Sequence, residues 1–291
     1  MSAVQDRLIE TGYAAGWRLV RALPLPVARA LFRTVADRAY RKNGPGTQRL
    51  RRNLAPVVAE DRLEETVQAG LRSYARYWME AFRLPSQTRE QFLAGFKIDP
   101  EHVGWINTGV KEGTGVILAL PHVGNWDAAA AWVVSNDWPM VTVMERLKPE
   151  GVFEQFMAYR AKLGMEVLAL TGGQRPPLDV LGERLEQGVV VALLSDRDLS
   201  RSGVEVTFFG QRTRMPAGPA ILAIRHNAPL YAVDLSFNET QTVAFLRRIV
   251  PPADGPLDQR VKLTTQALAD AYAAGIAEHP QDWHMLQKLW L

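Results

Sequence analysis

The sequence predicts an α/β fold: a central, mostly parallel sheet flanked by helices on both sides, with an N-terminal amphipathic helical hairpin. Three observations predict it. From about residue 113, short apolar runs alternate with stretches of helical periodicity, the pattern of strands joined by crossover helices. Residues 3–42 carry apolar side chains every three or four positions with arginines opposite them, the mark of amphipathic helices. The chain has 291 residues, 47% of them hydrophobic, which is within the globular range and enough for one large core. We read one domain over residues 1–291, with a basic helical appendage at 1–43 and an α/β body at 113–291.

The elements follow in order. The hairpin breaks at Leu23-Pro24-Leu25-Pro26. Its first helix sets Val4, Leu8, Tyr13, Trp17 and Val20 against Arg7, Arg18 and Arg21, and its second sets Val27, Leu31, Val35 and Tyr40 against Arg29, Arg33, Arg38 and Arg41. Such a hairpin either lies in the headgroup plane of a membrane or packs on the body as a solvated pair. Asn43-Gly44-Pro45-Gly46 is a second break. Residues 62–84 are helical, with Leu63, Val67, Leu71, Tyr74, Trp78 and Phe82 at spacings of three or four and Pro85 as the stop. In the body, strands are expected at 115–120, 140–144, 167–170, 189–194 and 230–235. Helices are expected at 128–134, 152–163, 178–185, 220–224 and 257–277, the last leading to His279-Pro280-Gln281-Asp282-Trp283.

Composition bounds the chemistry. There is no cysteine, which excludes disulfides, thiolate zinc sites, iron–sulfur clusters and a cysteine nucleophile. The net charge of +3 is unevenly spread. Residues 1–54 hold eleven Lys/Arg and three acids, a net +8, and the other 237 residues hold 23 basic and 28 acidic side chains, a net −5. A basic segment on an acidic body suggests an anionic partner. No nucleic-acid reading motif accompanies it, so a membrane surface is favoured over nucleic acid. The start MSAVQDRLIETG has early acids and no apolar core, so neither a signal peptide nor a spanning helix is expected.

The informative segment is His122-Val123-Gly124-Asn125-Trp126-Asp127, directly after the apolar run that ends at Pro121. His122 stands at the carboxyl end of a strand, where open α/β sheets gather their ligands. A turn can bring Asp127 to it, so that the carboxylate accepts the imidazole Nδ1–H and leaves Nε2 as a base. Taken alone, H-x4-D also fits a structural histidine beside a helix cap. Asp196 follows a second apolar run, again at a strand's carboxyl end. Arg197, Arg201, Arg212 and Arg214 cluster nearby and suit phosphate oxygens. His102, His226, His279 and His284 lack metal-ligand spacing, so no metal site is expected.

The sequence resembles the lysophospholipid acyltransferase superfamily, and His122–Asp127 matches the H-x-G-N-W-[DE] form of the bacterial lipid A late acyltransferases. Val204–Gly210 and Arg214–Ala220 resemble that family's later blocks. Glu145-Arg146-Leu147-Lys148-Pro149 and Ser195-Asp196-Arg197-Asp198-Leu199 narrow the resemblance to the mycobacterial phosphatidylinositol mannoside acyltransferase branch. The resemblance implies acyl-CoA, with a palmitoyl group, as co-substrate and no other cofactor. It implies as acceptor the mannose 6-hydroxyl of a phosphatidylinositol mannoside or a related glycolipid, at the cytoplasmic face of the plasma membrane. It implies His122 as general base oriented by Asp127, with Asp196, Glu145 and Arg160 around the pair and Asn125, Trp126, Arg197, Arg201 and Arg214 toward the substrates. Asp196 departs from the family's Glu by one methylene, which leaves room for a water between it and His122. For Glu145 and Arg160, substrate contact and a mutual salt bridge are both open. With no cysteine and no serine in a nucleophile elbow, direct transfer in a ternary complex is expected. Another glycolipid or a lysophospholipid as acceptor, or a non-catalytic lipid-binding role, are the alternatives.

Overall fold

The computed structural model describes residues 12, 16–198 and 202–291. A seven-stranded sheet forms the centre, with helices on both faces. In chain order its strands are β1 (Phe96–Ile98), β2 (Val116–Leu120), β3 (Met140–Met144), β4 (Glu166–Ala169) and β5 (Val190–Leu194). The last two are β8 (Leu230–Phe237) and β9 (Thr242–Ile249), while β6 (Val204–Phe208) and β7 (Gln211–Met215) form a separate hairpin. The spatial order is β1-β9-β8-β2-β5-β3-β4. The five strands from β8 to β4 run parallel, and only the β8–β9 pairing is antiparallel.

The middle of the sheet explains its sequence. All five residues of β2 are buried, because it is paired on both edges and covered on both faces, which requires an unbroken apolar run. The expected body strands are all present, with ends displaced by a residue or two. The expected helices sit at α6 (Trp126–Ser135), α7 (Glu150–Lys162), α8 (Pro177–Leu185), α9 (Gly218–His226) and α10 (Leu257–Glu278).

Some elements were not foreseen. The sheet takes β1 from before residue 113, between α4 (Arg89–Ala94) and α5 (Pro100–Lys111), the latter capped by Asp99. The long strand β9 alternates buried and outward positions, with Arg247 and Arg248 among its residues, which hides it from a search for apolar runs. The β6–β7 hairpin turns on Phe209-Gly210, both at positive φ (49° and 71°), the geometry of a two-residue hairpin loop.

The N-terminal region is helical over residues 16–22 and in α1 (Leu25–Lys42), so the expected Pro break holds; Tyr13 and residues 1–11 lie outside the described residues. After the break at Asn43-Gly44, α2 (Pro45–Leu54) adds an unexpected helix. The N-terminal helices pack on the body in part, as one of the two expected readings has it. Trp17 is buried among Phe82, Phe156 and Tyr159 at ring distances of 5.0–5.3 Å, and its indole donates to the Phe82 carbonyl at 3.0 Å. Yet α1 turns its small residues, Ala28 and Ala36, inward, because they permit close approach to α3 (Leu63–Arg83). The larger Val27, Leu31 and Val35 stay 43–52% exposed. Among the described residues, no helix is long and apolar enough to cross a membrane.

Candidate active site

The register of two parallel strands builds the site. Leu120 at the end of β2 pairs with Leu194 at the end of β5. Two residues further along each strand come His122 and Asp196, so the two side chains leave the sheet together. The pair is closed by two hydrogen bonds. The Asp196 Oδ1 meets His122 Nδ1 at 2.5 Å, and Asp196 Oδ2 accepts the His122 backbone N–H at 2.9 Å. The contact is direct: the backbone approach at the strand ends makes up for the shorter side chain. The Trp283 indole also donates to Oδ2, at 3.0 Å.

Asp196 is wholly buried. Burial pushes its carboxyl up, but the charge of His122 and the hydrogen bonds from His122 and Trp283 outweigh this and hold it below the ordinary carboxylate value. An ionised Asp196 fixes the Nδ1–H tautomer of His122, as the buried aspartate does in hydrolytic triads, and leaves Nε2 for the cleft. The His122 side chain is 26% exposed.

Asp127 does not pair with His122, which corrects the H-x4-D expectation. Helix α6 begins at Trp126, and Asp127 is carried into its first turn, with its carboxylate against the body. There it accepts from Arg160 Nε and from the Tyr77 hydroxyl, each at 2.9 Å. Burial lowers the affinity of Arg160 for its proton, but Asp127 more than compensates, so the guanidinium stays charged. Burial and the Asp127 charge push the Tyr77 hydroxyl well above its ordinary value, so it remains a donor. Arg160 therefore does not bridge to Glu145. Glu145 faces Arg197 instead, at 3.4 Å.

Asn125 is also corrected. It is wholly buried and its polar atoms are engaged: Oδ1 caps α6 by accepting from the Ala128 N–H, and Nδ2 donates to Glu80. It shapes the turn rather than facing the cleft. Gly124 completes that turn at φ 53°, where an added Cβ would lie 2.8 Å from the Cβ of Leu235 and 3.0 Å from its carbonyl oxygen, so only glycine fits.

His122 opens into a cleft of about 500 Å³. Tyr77, Trp78, Trp126, Met144, Leu147 and Phe156 give it an apolar wall, with Glu145, Arg160, Arg197 and Asp198 as its charged members. Trp126 stands edge-on to His122 at 5.5 Å and lies 4.0 Å from the Tyr77 ring. A narrower apolar cavity of about 70 Å³ between α6 and the sheet shares Trp126, Val143, Arg160, Leu193 and Leu194 with this cleft. Of the expected phosphate cluster, Arg197 reaches the cleft and Arg201 lies outside the described residues. Arg212 is tied to Glu205 at 2.7 Å. Arg214 pairs with Glu205 across the hairpin and its carbonyl accepts from the N–H of the cleft residue Asp198 at 3.1 Å, but Arg214 itself does not line the cleft.

Behind the turn lies a layer that the sequence reading left unassigned. Val123 forms an antiparallel bridge with Trp283, the Gly124 N–H donates to the Asp282 carbonyl at 2.9 Å, and the His284 N–H donates to the His122 carbonyl at 2.7 Å. Asn53 of α2 anchors this C-terminal segment through the carbonyls of Met285 and Gln287. No local spacing in residues 280–285 signals such contacts, since their partners lie far away in the chain.

The chain matches the bacterial lipid A biosynthesis acyltransferases over residues 5–291. It is 48% identical over 288 residues to the phosphatidylinositol mannoside acyltransferase of Mycolicibacterium smegmatis, covering 98% of this chain and 92% of that one. To the phosphatidylinositol mannoside acyltransferase of Mycobacterium tuberculosis it is 44% identical over 296 aligned positions, covering 100% of this chain and 91% of that one. A match of that extent, on a chain whose H-x4-D turn heads an apolar cleft, places the protein in the bacterial lipid A biosynthesis acyltransferase family.

Proposed function

We propose that the protein transfers a palmitoyl group from acyl-CoA to the mannose 6-hydroxyl of a phosphatidylinositol mannoside, as a peripheral enzyme on the cytoplasmic face of the plasma membrane. The observation that carries the reading is the His122–Asp196 couple opening into an apolar cleft. The name that the two relatives carry, phosphatidylinositol mannoside acyltransferase, supports the acceptor class. A sugar hydroxyl attacks poorly until its proton is taken, and His122 Nε2 takes it. The oxygen then bonds to the thioester carbonyl carbon, and the oxyanion forms near the charged Arg160. Collapse breaks the C–S bond, and the thiolate of CoA receives the proton from His122. Asp196 stabilises the imidazolium between these two transfers. The apolar wall suits an acyl chain, and Arg197 suits a phosphate of CoA. The outward Val27, Leu31 and Val35 among arginines suit an anionic lipid surface.

The test combines palmitoyl-CoA with a panel of acceptors (a phosphatidylinositol mannoside, other glycolipids and a lysophospholipid), reading free CoA and acylated lipid. His122→Ala should lower transfer by about 10²–10⁴-fold. Product on another acceptor alone would move the substrate assignment. Undiminished transfer by the variant would refute the base, and no transfer by either protein would favour lipid binding without catalysis.

A further inference from the structure

We propose that Trp283 is a positioning residue for the reaction: its indole N–H locks Asp196 in the one orientation that serves both nitrogens of His122. The inference rests on the reading of His122 as the base.

An ionised carboxylate has about four acceptor sites, and it can turn about its Cβ–Cγ bond. In Asp196, three donors are in place. Two come from His122 itself, the Nδ1–H on Oδ1 and the backbone N–H on Oδ2. Those two alone would let the couple shift as a unit. The third, from Trp283 on Oδ2, comes from a different part of the chain, 87 residues away in sequence. It ties the couple to the body of the protein.

The indole is itself fixed on every side. Trp283 is wholly buried and follows the 3₁₀ turn Pro280–Asp282. Its ring meets Phe208 edge-on at 5.7 Å. Its backbone bridges to Val123, and its neighbours Asp282 and His284 hold Gly124 and His122 by main-chain hydrogen bonds. The segment that clamps the catalytic turn therefore also supplies the donor that clamps the carboxylate. A tryptophan needed only for packing has no reason to aim its N–H at a buried charge.

The other polar groups around the couple leave this role to Trp283. His284 lies behind the turn with its ring nitrogens away from Asp196, and Ser195 Oγ pairs with the Tyr272 hydroxyl at 2.6 Å. Asp127 is paired with Arg160 at 2.9 Å, and Glu145 with Arg197 at 3.4 Å at the cleft. Among the described residues, only His122 and Trp283 donate to Asp196.

Replacing Trp283 with β-(3-benzothienyl)alanine exchanges the N–H for sulfur and keeps the ring's shape. Loss of the donor leaves Asp196 less satisfied and the imidazolium of His122 more favoured. kcat should fall by about tenfold, since a hydrogen bond to a charged group is lost, while KM for palmitoyl-CoA stays within about twofold, as only transition-state positioning changes. The acid limb of the kcat/KM profile should move up by roughly half a pH unit or more. Carbon-13 histidine NMR should show the His122 titration midpoint moving the same way, without any turnover. Trp283→Phe should do likewise and also lower thermal stability. An isosteric variant with unchanged kcat, limb and midpoint overturns the proposal. His122→Ala in the same assay separates the two claims. If it stays active, the base reading fails; if it is inactive while the isosteric variant behaves as wild type, only the role of Trp283 fails.

Discussion

His284 should make this protein acid-sensitive by an amount that can be worked from its surroundings. Its imidazole is buried against the Tyr74 and Tyr77 rings, and its backbone holds the catalytic turn. Ser73 Oγ donates its single proton to Asp282 Oδ1 at 2.6 Å, so the 2.9 Å contact between Ser73 Oγ and His284 Nε2 is donated by the imidazole. Nδ1 is then a bare nitrogen, buried without a hydrogen-bond partner among the described residues. Burial, reinforced by the nearby His122, pushes the His284 imidazole from 6.5 down to about 3. The unfolded chain takes up this proton below pH 6.5, whereas the folded chain does not until near pH 3. Stability is unaffected above the higher value and is lost as pH falls between the two, at about 1.4 kcal/mol per pH unit. At pH 5.0 the loss from this one group is about 2 kcal/mol. Asp282 works the other way, because burial raises its carboxyl and the folded state binds that proton early. Asp196, held low, costs stability only at pH values below the ordinary carboxylate range. His284→Gln keeps a donor for Ser73 and removes the titration. Urea unfolding at pH 7.0 and 5.0 should show wild type losing about 2 kcal/mol more than the variant over that interval. Equal losses in the two proteins would refute the reasoning.

Two other perturbations follow from the geometry. Asp127→Ala strands a buried guanidinium and the Tyr77 hydroxyl, and should cost about 3–5 kcal/mol in urea unfolding; a cost below about 1 kcal/mol would mean that water reaches Arg160 once the carboxylate is gone. Leu31→Glu with Val35→Glu places acids on the outward stripe of α1, and should release the protein from anionic vesicles in a sedimentation assay at unchanged melting temperature; unchanged sedimentation would sink the membrane role of this helix.

The parts of the fold that were legible were those whose burial writes itself into local composition. The strand at 115–120 reads as an apolar run because β2 is central and covered on both faces. The helix at 62–84 reads from its apolar spacing because one side of it packs on the body. The hairpin at 204–215 and the strand at 242–249 were not legible as strands, since Glu205, Arg212, Arg247 and Arg248 fall within them and break any apolar run. The outward stripe of α1 shows the converse: apolar spacing identified a helix but not which side of it meets the core.

The same division runs through the site. Sequence by itself determined that His122 and Asp196 each stand just past a buried strand, and that no thiol could hold the acyl group. It pointed to Asp127 as the partner of His122 because five residues is a short reach along the chain. Only the tertiary structure decided otherwise. Pairing β2 with β5 in register brings residues 74 apart in sequence to hydrogen-bond distance, while the first turn of α6 directs Asp127 to Arg160 and Tyr77. The indole that completes the couple arrives from the C-terminal segment. A hydrogen bond requires two atoms within about 3 Å, and for groups this far apart in sequence it is the strand order and register that bring them so close.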